Sequence, residues 1–537
     1  MQKTFIILAC LTILAATKLT SQNLYSKVLY DNYFPINGHV VINTLDNGFL
    51  VGGDFDSLPM ITKLDDNGNL LWSKTYGNEG DFYCATVTSD SCYVFAGDLF
   101  NPYDSMTNIF CVKINSSGDT LWTKEINVGK NDYALSIQQT NEKGFILSGF
   151  TTTDTYQTNY DGNYYLNFFN YPHFEMLIVN IDSIGNTKWT KTISAGVSSA
   201  LSSIKQISDS EFVAIGCINE LIDSIHIKQK FIILKTDSIG NIDWLKKDNT
   251  GSKSYGGDIL ILNDGLLFYT SYDDKTTILK TDFSGNIVKS YQFDADSYFE
   301  NNFVNLIGKF KESSYKDYYL SVISNYDINN YILKIDSSGN IANSFSYLLM
   351  LSDFTFTSDS GLFIIGSGPL LVTKYYIPSQ IGIIKADSLG NSIDCSLGGE
   401  NINSTSVTID LVSIPFTESS TWNVEYFNPV ISNVDIFEKS GCVDIVGQIE
   451  QLTSDNAFSV FPNPSSGTFK IKFNNALDQT NKYIEIYNSL GQKVFTYSQN
   501  SDVEITVQMR NQPEGIYFIS VKAGDKMYKQ KISIIGK

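Results

Sequence analysis

The sequence predicts an all-β protein: a repeated array of antiparallel sheets, then a small β-sandwich. Three observations predict it. A fourteen-residue stretch recurs seven times between Ile61 and Ser396. A run of β-branched and aromatic residues precedes each copy, as in "NGFLVGG" from Asn47, "SCYVFAG" from Ser91 and "SGLFIIG" from Ser360. From Ala457 onward the texture changes to short alternating segments separated by Gly and Pro turns.

The first copies read "ITKLDDNGNLLWSK" from Ile61, "CVKINSSGDTLWTK" from Cys111, "IVNIDSIGNTKWTK" from Ile178 and "ILKTDSIGNIDWLK" from Ile233. Three more follow from Ile278, Ile332 and Ile383. Their glycines, Gly68, Gly118, Gly185, Gly240, Gly285, Gly339 and Gly390, stand 45 to 67 residues apart. A period near fifty held seven times marks an array. Short β-branched and aromatic runs entered by turn residues are strands. With one more strand before each run, as in "DFYCATVTSD" and "ALSIQQT", each unit has four strands, the number of a propeller blade.

The acidic turn "TDSIGN" raises the question of calcium. Asp237 suits the start of a turn and Gly240 its positive-φ position. An EF-hand loop needs oxygen ligands at alternate positions and a distant bidentate Glu. Lys63, Lys235, Lys280, Lys334 and Lys385 occupy one such position instead, and no Glu follows at the required spacing. The turn is therefore read as structural. Trp72, Trp122, Trp189 and Trp244, four residues after their glycines, are expected to be buried as wedges between neighbouring units. "LYSKVLYD" from Leu24 aligns with "LWSKTYGN" from Leu71. It is expected to supply the last strand of the seventh unit and so remove exposed edges.

The chain is expected to divide into a signal peptide at 1–21, a seven-bladed β-propeller at 22–395, a linker with some extended structure at 396–456, and an Ig-like β-sandwich at 457–537. A basic start followed by "TFIILACLTILAA" carries the first expectation, and no stable membrane span is expected after its removal. Six cysteines remain beyond Cys10, too few for a disulfide scaffold. Most should be buried apolar residues, with Cys84–Cys92 and Cys395–Cys442 the first pairs to test. A net charge of −19 with 18% charged residues argues against nucleic acid.

The seven-unit array resembles the bacterial β-propeller repeats of exported proteins. The C-terminal block carries "FPNPSSG" (Phe461, Pro462, Asn463, Pro464, Gly467), "LGQKV" (Leu490, Gly491) and "GIYFISV" (Gly515, Tyr517), with a basic, apolar ending. In that order these closely resemble the C-terminal sorting domain of type IX secretion substrates of the Bacteroidota. The resemblance implies the type IX machinery as partner and delivery to the cell surface or medium.

No recognised catalytic constellation is present: no HExxH, no P-loop, no nucleophile elbow. His39, His173 and His226 stand apart and read as surface or packed residues. No catalytic residue, metal site or cofactor is expected. The long insertion Thr151–Glu175 is the candidate binding loop, with Tyr156, Tyr160, Tyr164, Tyr165, Phe168, Phe169, Tyr171 and Phe174 interleaved with Asn and Asp, a composition suited to glycan or protein contact. The expected function is non-catalytic binding at the surface, with adhesion as its use. The alternative is a secreted propeller enzyme, polysaccharide-active or quinoprotein-like. The D-x-x-G-x-x-x-W spacing of Asp237, Gly240 and Trp244 resembles a quinoprotein docking motif that has one residue more.

Overall fold

The computed structural model describes residues 24–31, 34–152, 174–221, 227–250, 253–272, 275–296, 308–323, 330–347, 349–367, 380–392, 396–398, 404–419, 423–425, 431–434, 436–440, 458–463, 465–473, 482–488, 493–499, 504–509, 512–513, 515–523 and 526–534. Among these every regular element is a strand, and no helix is long and apolar enough to cross a membrane. The chain forms two compact units, Met1–Ile445 and Val446–Lys537.

Among the described residues, β1 (Tyr25–Tyr30) is the first strand of the first unit. Six four-stranded antiparallel meanders follow. The first is β2 (Ile36–Asn43), β3 (Phe49–Phe55), β4 (Leu58–Leu64) and β5 (Leu70–Tyr76). The second is β6 (Gly80–Val87), β7 (Tyr93–Asn101), β8 (Met106–Ile114) and β9 (Thr120–Asn127). The third is β10 (Asn131–Gln139), β11 (Phe145–Thr152), β12 (Phe174–Ile181) and β13 (Thr187–Ser194). The fourth is β14 (Ser198–Ser208), β15 (Glu211–Leu221), β16 (Ile227–Asp237) and β17 (Ile242–Asp248). The fifth is β18 (Ser254–Leu262), β19 (Gly265–Tyr272), β20 (Lys275–Thr281) and β21 (Ile287–Asp296). The sixth is β22 (Phe310–Glu312), β23 (Tyr318–Ile323), β24 (Asn330–Ile335) and β25 (Ile341–Tyr347).

The seventh sheet is composite. β26 (Met350–Phe356), β27 (Leu362–Ser367) and β28 (Ile381–Ala386) supply three strands, and β1 supplies the fourth, with Tyr25 opposite Lys385 and Leu29 opposite Ile381. The N-terminal strand thus completes the last sheet, as its likeness to Leu71–Asn78 leads one to expect.

Innermost strands neighbour one another in order. β2 packs against β6, β6 against β10, β10 against β14, β14 against β18 and β18 against β22, while β26 packs against β23 and β2. Apolar side chains fill each interface. Between the seventh and first sheets these include Leu29, Ile36, Val51, Phe363, Ile365 and Ile381, all almost fully buried. Phe49 stacks on Phe363 there at 3.7 Å between ring centroids. Each such side chain contributes about 1.5–3 kcal/mol.

The segment expected as a linker with some extended structure runs along the outer edges of these sheets. β29 (Ser396–Gly398) pairs with β25, β30 (Ser404–Ser406) with β21, β31 (Leu411–Ser413) with β17, and β32 (Thr417–Ser419) with β13. β33 (Asn423–Glu425), β34 (Ile431–Asn433) and β35 (Phe437–Ser440) then pair with β9, β5 and β1. All seven sheets thereby gain a fifth, antiparallel edge strand, visited in the reverse of chain order. The physical reason is the open hydrogen-bonding row that every outer strand would otherwise present.

The turns explain the repeat. Asp237 Oδ1 accepts from the amides of Ile239 and Asn241, and Oδ2 from the Asn241 side chain. Asp65, Asp182, Asp282, Asp336 and Asp387 make the same set of contacts to their own turns. The repeat glycines all have positive φ. A methyl group built on Gly118 would lie 2.6 Å from Trp72, and one on Gly240 would lie 2.7 Å from Trp189. Trp122 and Trp189 also donate Nε1 to the carbonyls of Ser183 and Ser238 in the next turn.

The four tryptophans are half-buried, not fully buried as expected, because the turn each one covers is itself at the surface. The lysines at the disputed position are tied to carboxylates at the preceding turn: Lys63 to Asp46 at 2.6 Å, Lys280 to Asp264 at 2.8 Å and Lys334 to Asp317 at 2.7 Å. Cys84 and Cys92 are free thiols; Cys84 is buried against the β10 strand and Cys92 stands at a turn. The first pair to be tested is thus not joined, and Cys84 is one of the buried apolar cysteines expected. Cys395 and Cys442 lie outside the described residues.

The second unit has two sheets: β36 (Phe458–Phe461), β37 (Thr468–Phe473) and β40 (Glu504–Gln508) in one, and β39 (Lys493–Gln499), β38 (Lys482–Asn488), β41 (Gly515–Ala523) and β42 (Lys526–Ile534) in the other. Phe469, Ile471, Ile486, Val507, Ile519 and Ile532 form its own core.

Candidate functional site

The inner strands carry a recurrent irregularity that shapes the site. Six of them bulge opposite the second strand, between Gly38 and Val40 in β2 and between Phe82 and Cys84 in β6, for example. The extra residue turns out of the regular alternation. In β2 that residue is His39 and in β6 it is Tyr83, and their rings lie 5.7 Å apart. The glycines ending the recurring runs make room for this geometry: a methyl group on Gly97 would be 1.9 Å from the Asp81 carbonyl.

Around the two bulges stand Asp54 on β3, Asp81 on β6 and Asp98 on β7. His39 Nε2 is 2.9 Å from Asp81 Oδ2 and 3.7 Å from Asp54 Oδ1. One ligating atom from each of His39, Asp54 and Asp81 falls within 4.8 Å of the others. Asp81 and Asp98 are direct cross-strand partners, so their side chains share one face of the sheet. Asp54 is steadied by Asn37 Nδ2 at 2.9 Å and the Ser57 amide at 3.2 Å. Asp81 Oδ1 accepts from the Phe82 amide at 2.6 Å. Asp98 is 1% exposed, and its Oδ1 accepts no hydrogen bond among the described residues.

The electrostatics follow from burial and crowding. Burial works against the His39 imidazolium, but the Asp81 and Asp54 carboxylates outweigh it and raise the His39 pKa to about 10. Burial pushes Asp81 up, with the imidazolium opposing. Asp98 is held well above the usual carboxylate range by burial and then by the Asp81 charge. Carboxylates with raised proton affinity beside a histidine are a frequent mark of functional sites.

Other inner-strand carboxylates differ. Asp258 accepts from Ser203 and the Ile259 and Phe310 amides. Asp353 accepts from the Val41 and Phe354 amides and meets Lys311 at 3.3 Å. These bind neighbouring strands together.

Of the candidate loop, Tyr156, Tyr160, Tyr164, Tyr165, Phe168, Phe169 and Tyr171 lie outside the described residues. Phe174 begins β12, is 4% exposed, and packs edge-on against Phe150 at 5.2 Å. It belongs to a core cluster drawn from the second, third and fourth sheets. Sequence reasoning passed over His39 and its three carboxylates. Their signal was slight: an Asp follows the run-ending glycine in "VGGDFD" and "FAGDLF" alone among the seven runs.

In the second unit the sorting motif is a clasp. Phe461–Pro462 is cis. Asn463 Oδ1 accepts from the Ser533 amide at 3.0 Å, and the Ser465 amide donates to the Ser533 carbonyl at 2.8 Å. Gly467, at φ +89°, accepts on its carbonyl oxygen from the Met509 amide at 2.6 Å. Gly515 opens β41, and Tyr517, buried, donates its hydroxyl to the Pro513 carbonyl at 2.7 Å. Pro464, Leu490 and Gly491 lie outside the described residues.

The family model of the secretion system C-terminal sorting domain matches residues 459–535. None of the curated proteins matches the chain. Among solved structures, the extracellular domain of a protein described as a one-component system of B. thetaiotaomicron aligns at 9% identity over 93% of this chain and 81% of its own, with a TM-score of 0.20. The sorting domain marks the protein for type IX secretion, with the cell surface or medium as destination.

Proposed function

We propose that the first unit is a closed seven-bladed propeller, and that the type IX pathway delivers it to the cell exterior as a non-catalytic module binding glycan or protein, with adhesion as its use. The observation that carries the ring is the return of the inner-strand order from β26 to β2, together with the β1–β28 pairing. A ring stiffened by outer strands gives loops a rigid base, and loops on a rigid base are where binding residues concentrate. Segment 1–21 serves as the signal for the inner membrane, and the type IX machinery is the partner for the outer one.

The test compares the full protein with a variant lacking 159–171 on glycan arrays and on cell surfaces, alongside turnover assays on polysaccharides. Binding lost with the loop, without turnover, supports recognition; turnover that survives the deletion overturns it. One observation favours the second reading, a secreted propeller enzyme acting on polysaccharide: Asp81 and Asp98 are buried carboxylates of raised proton affinity beside His39. Turnover abolished by Asp81→Asn would select that reading.

A further inference from the structure

We propose that His39, Asp54, Asp81 and Asp98 form a binding site for one first-row divalent cation of the Mn²⁺ or Zn²⁺ kind. Three of these residues already bring one ligating atom each within 4.8 Å of one another. His39 Nε2 lies 2.9 Å from Asp81 Oδ2 and 3.7 Å from Asp54 Oδ1, separations that ligands about 2.0–2.2 Å from one ion can adopt.

The fourth residue supplies the independent sign. Asp98 is 1% exposed and stands directly across from Asp81, yet its Oδ1 accepts no hydrogen bond among the described residues: the Tyr83 hydroxyl acts on this carboxyl without closing one. A buried carboxylate oxygen without a donor is costly. The other buried inner-strand carboxylates show what a purely structural role looks like here. Asp132 accepts from the Val128 and Gly129 amides, Asp258 from a serine and two amides, and Asp353 from two amides with a lysine beside it.

The charge count points the same way. Three carboxylates surround one imidazole, and His39 is the one cationic group paired with Asp54 or Asp81 among the described residues. A divalent cation offsets this crowding of carboxylates and offers Asp98 Oδ1 a partner. Nε2 and Asp81 Oδ2, now 2.9 Å apart, would both turn to the ion, which takes the place of the proton between them.

The donor set selects the class of ion. Ca²⁺ and Mg²⁺ favour all-oxygen sites, imidazole favours the later first-row metals, and no thiolate is present to favour soft ions. His39 is 32% exposed while Asp81 is buried, so the ion has an approach from solvent on the histidine side. Asn37 and the Ser57 amide already orient Asp54, as outer hydrogen bonds do for metal-ligating carboxylates.

The experiment is calorimetric titration of the full chain, stripped with chelator, with Mn²⁺ and separately with Zn²⁺. Binding of one ion per chain is expected, with affinity reduced at least about tenfold in Asp81→Asn and Asp98→Asn, the scale seen even for outer-shell changes. His39→Gln, at a half-exposed position, serves as the third variant should a buried one fail to fold. Mn²⁺ is also expected to raise the melting temperature of the native chain, and to raise that of Asp98→Asn by less at the same metal concentration. Absence of saturable binding, or one-to-one binding undiminished in Asp98→Asn and His39→Gln, would overturn the proposal and leave the cluster as a buried ion pair only. Preference for Ca²⁺ over both metals would overturn the assigned class.

Discussion

The ring of Tyr25 covers Gly68: a methyl group built on that glycine would lie 2.5 Å from Cε2 of the tyrosine. Tyr25 belongs to the seventh sheet and Gly68 to the first, so this contact joins the two ends of the array. The same relation links Trp72 with Gly118, Trp189 with Gly240, Trp244 with Gly285 and Phe345 with Gly390, while Trp122 shares Gly185 with Lys124 and Tyr291 meets Gly339 at ordinary contact distance. Lys27 continues it by donating to Asn69 Oδ1 at 2.6 Å.

Gly68→Ala is expected to destabilise the first unit. Its φ of +69° costs an L-residue about 1–2 kcal/mol, and the collision with Tyr25 adds to that. In Gly68→Ala/Tyr25→Ala the collision is gone, so the two changes should combine to less than their sum. Denaturant unfolding of the four proteins measures this; strict additivity would deny the contact.

Removal of residues 396–440 should leave the seven four-stranded sheets with open outer edges. Exposed edges pair with other chains, so the shortened protein is expected to melt lower and self-associate. Light scattering with thermal unfolding checks it; a monomer of unchanged melting temperature would contradict the role given to the outer strands.

The turn carboxylates give a pH dependence of definite sign. Amide and side-chain hydrogen bonds from Asn286 hold Asp282 below its ordinary value of 3.8. At Asp237 partial burial opposes but hydrogen bonds from Asn241 and Ile239 prevail, again below 3.8. A depressed folded-state pKa means stability that is fully present above the unfolded value and lost as pH falls through the folded one. Stability should therefore decline below about pH 4, less steeply in Asp282→Asn, as followed by acid titration of the circular dichroism.

Asn463→Ala should loosen the clasp between the "FPNPSSG" turn and β42, costing about 1 kcal/mol for the lost hydrogen bond. The expected result is a smaller secreted fraction and more protein in the periplasm. Deleting 457–537 should retain it there entirely, with the first unit folded. Fractionation and immunoblotting decide; normal secretion of the deletion variant would remove the role assigned to this domain.

Much of the fold was legible because local chemistry repeats. The Asp and Gly of each turn serve their own turn, and "LYSKVLYD" matches "LWSKTYGN" residue for residue at the aromatic and the lysine. The last units looked irregular because Tyr291 and Phe345 stand six residues after their glycines, where Trp72 stands four. The outer strands were illegible: segments such as Leu411–Ser413 are too short to show a period, and their partners lie far away in the chain. His39 was illegible as a site residue because a bulge turns it toward Asp81, forty-two positions on. The paired "GD" dipeptides at Asp54 and Asp98 were the trace it left, as a departure from the repeat.

Closure of the array through the N-terminal strand is the central claim, and cross-linking tests it most directly. Ser26 lies opposite Ile384 in the β1–β28 pair. In Ser26→Cys/Ile384→Cys, mild oxidation is expected to form a disulfide between these two positions, seen as a single linked peptide pair by mass spectrometry after proteolysis. The linked protein should also unfold at higher denaturant than its reduced form. A folded double variant in which both thiols stay free, or pair elsewhere, would contradict the closed ring.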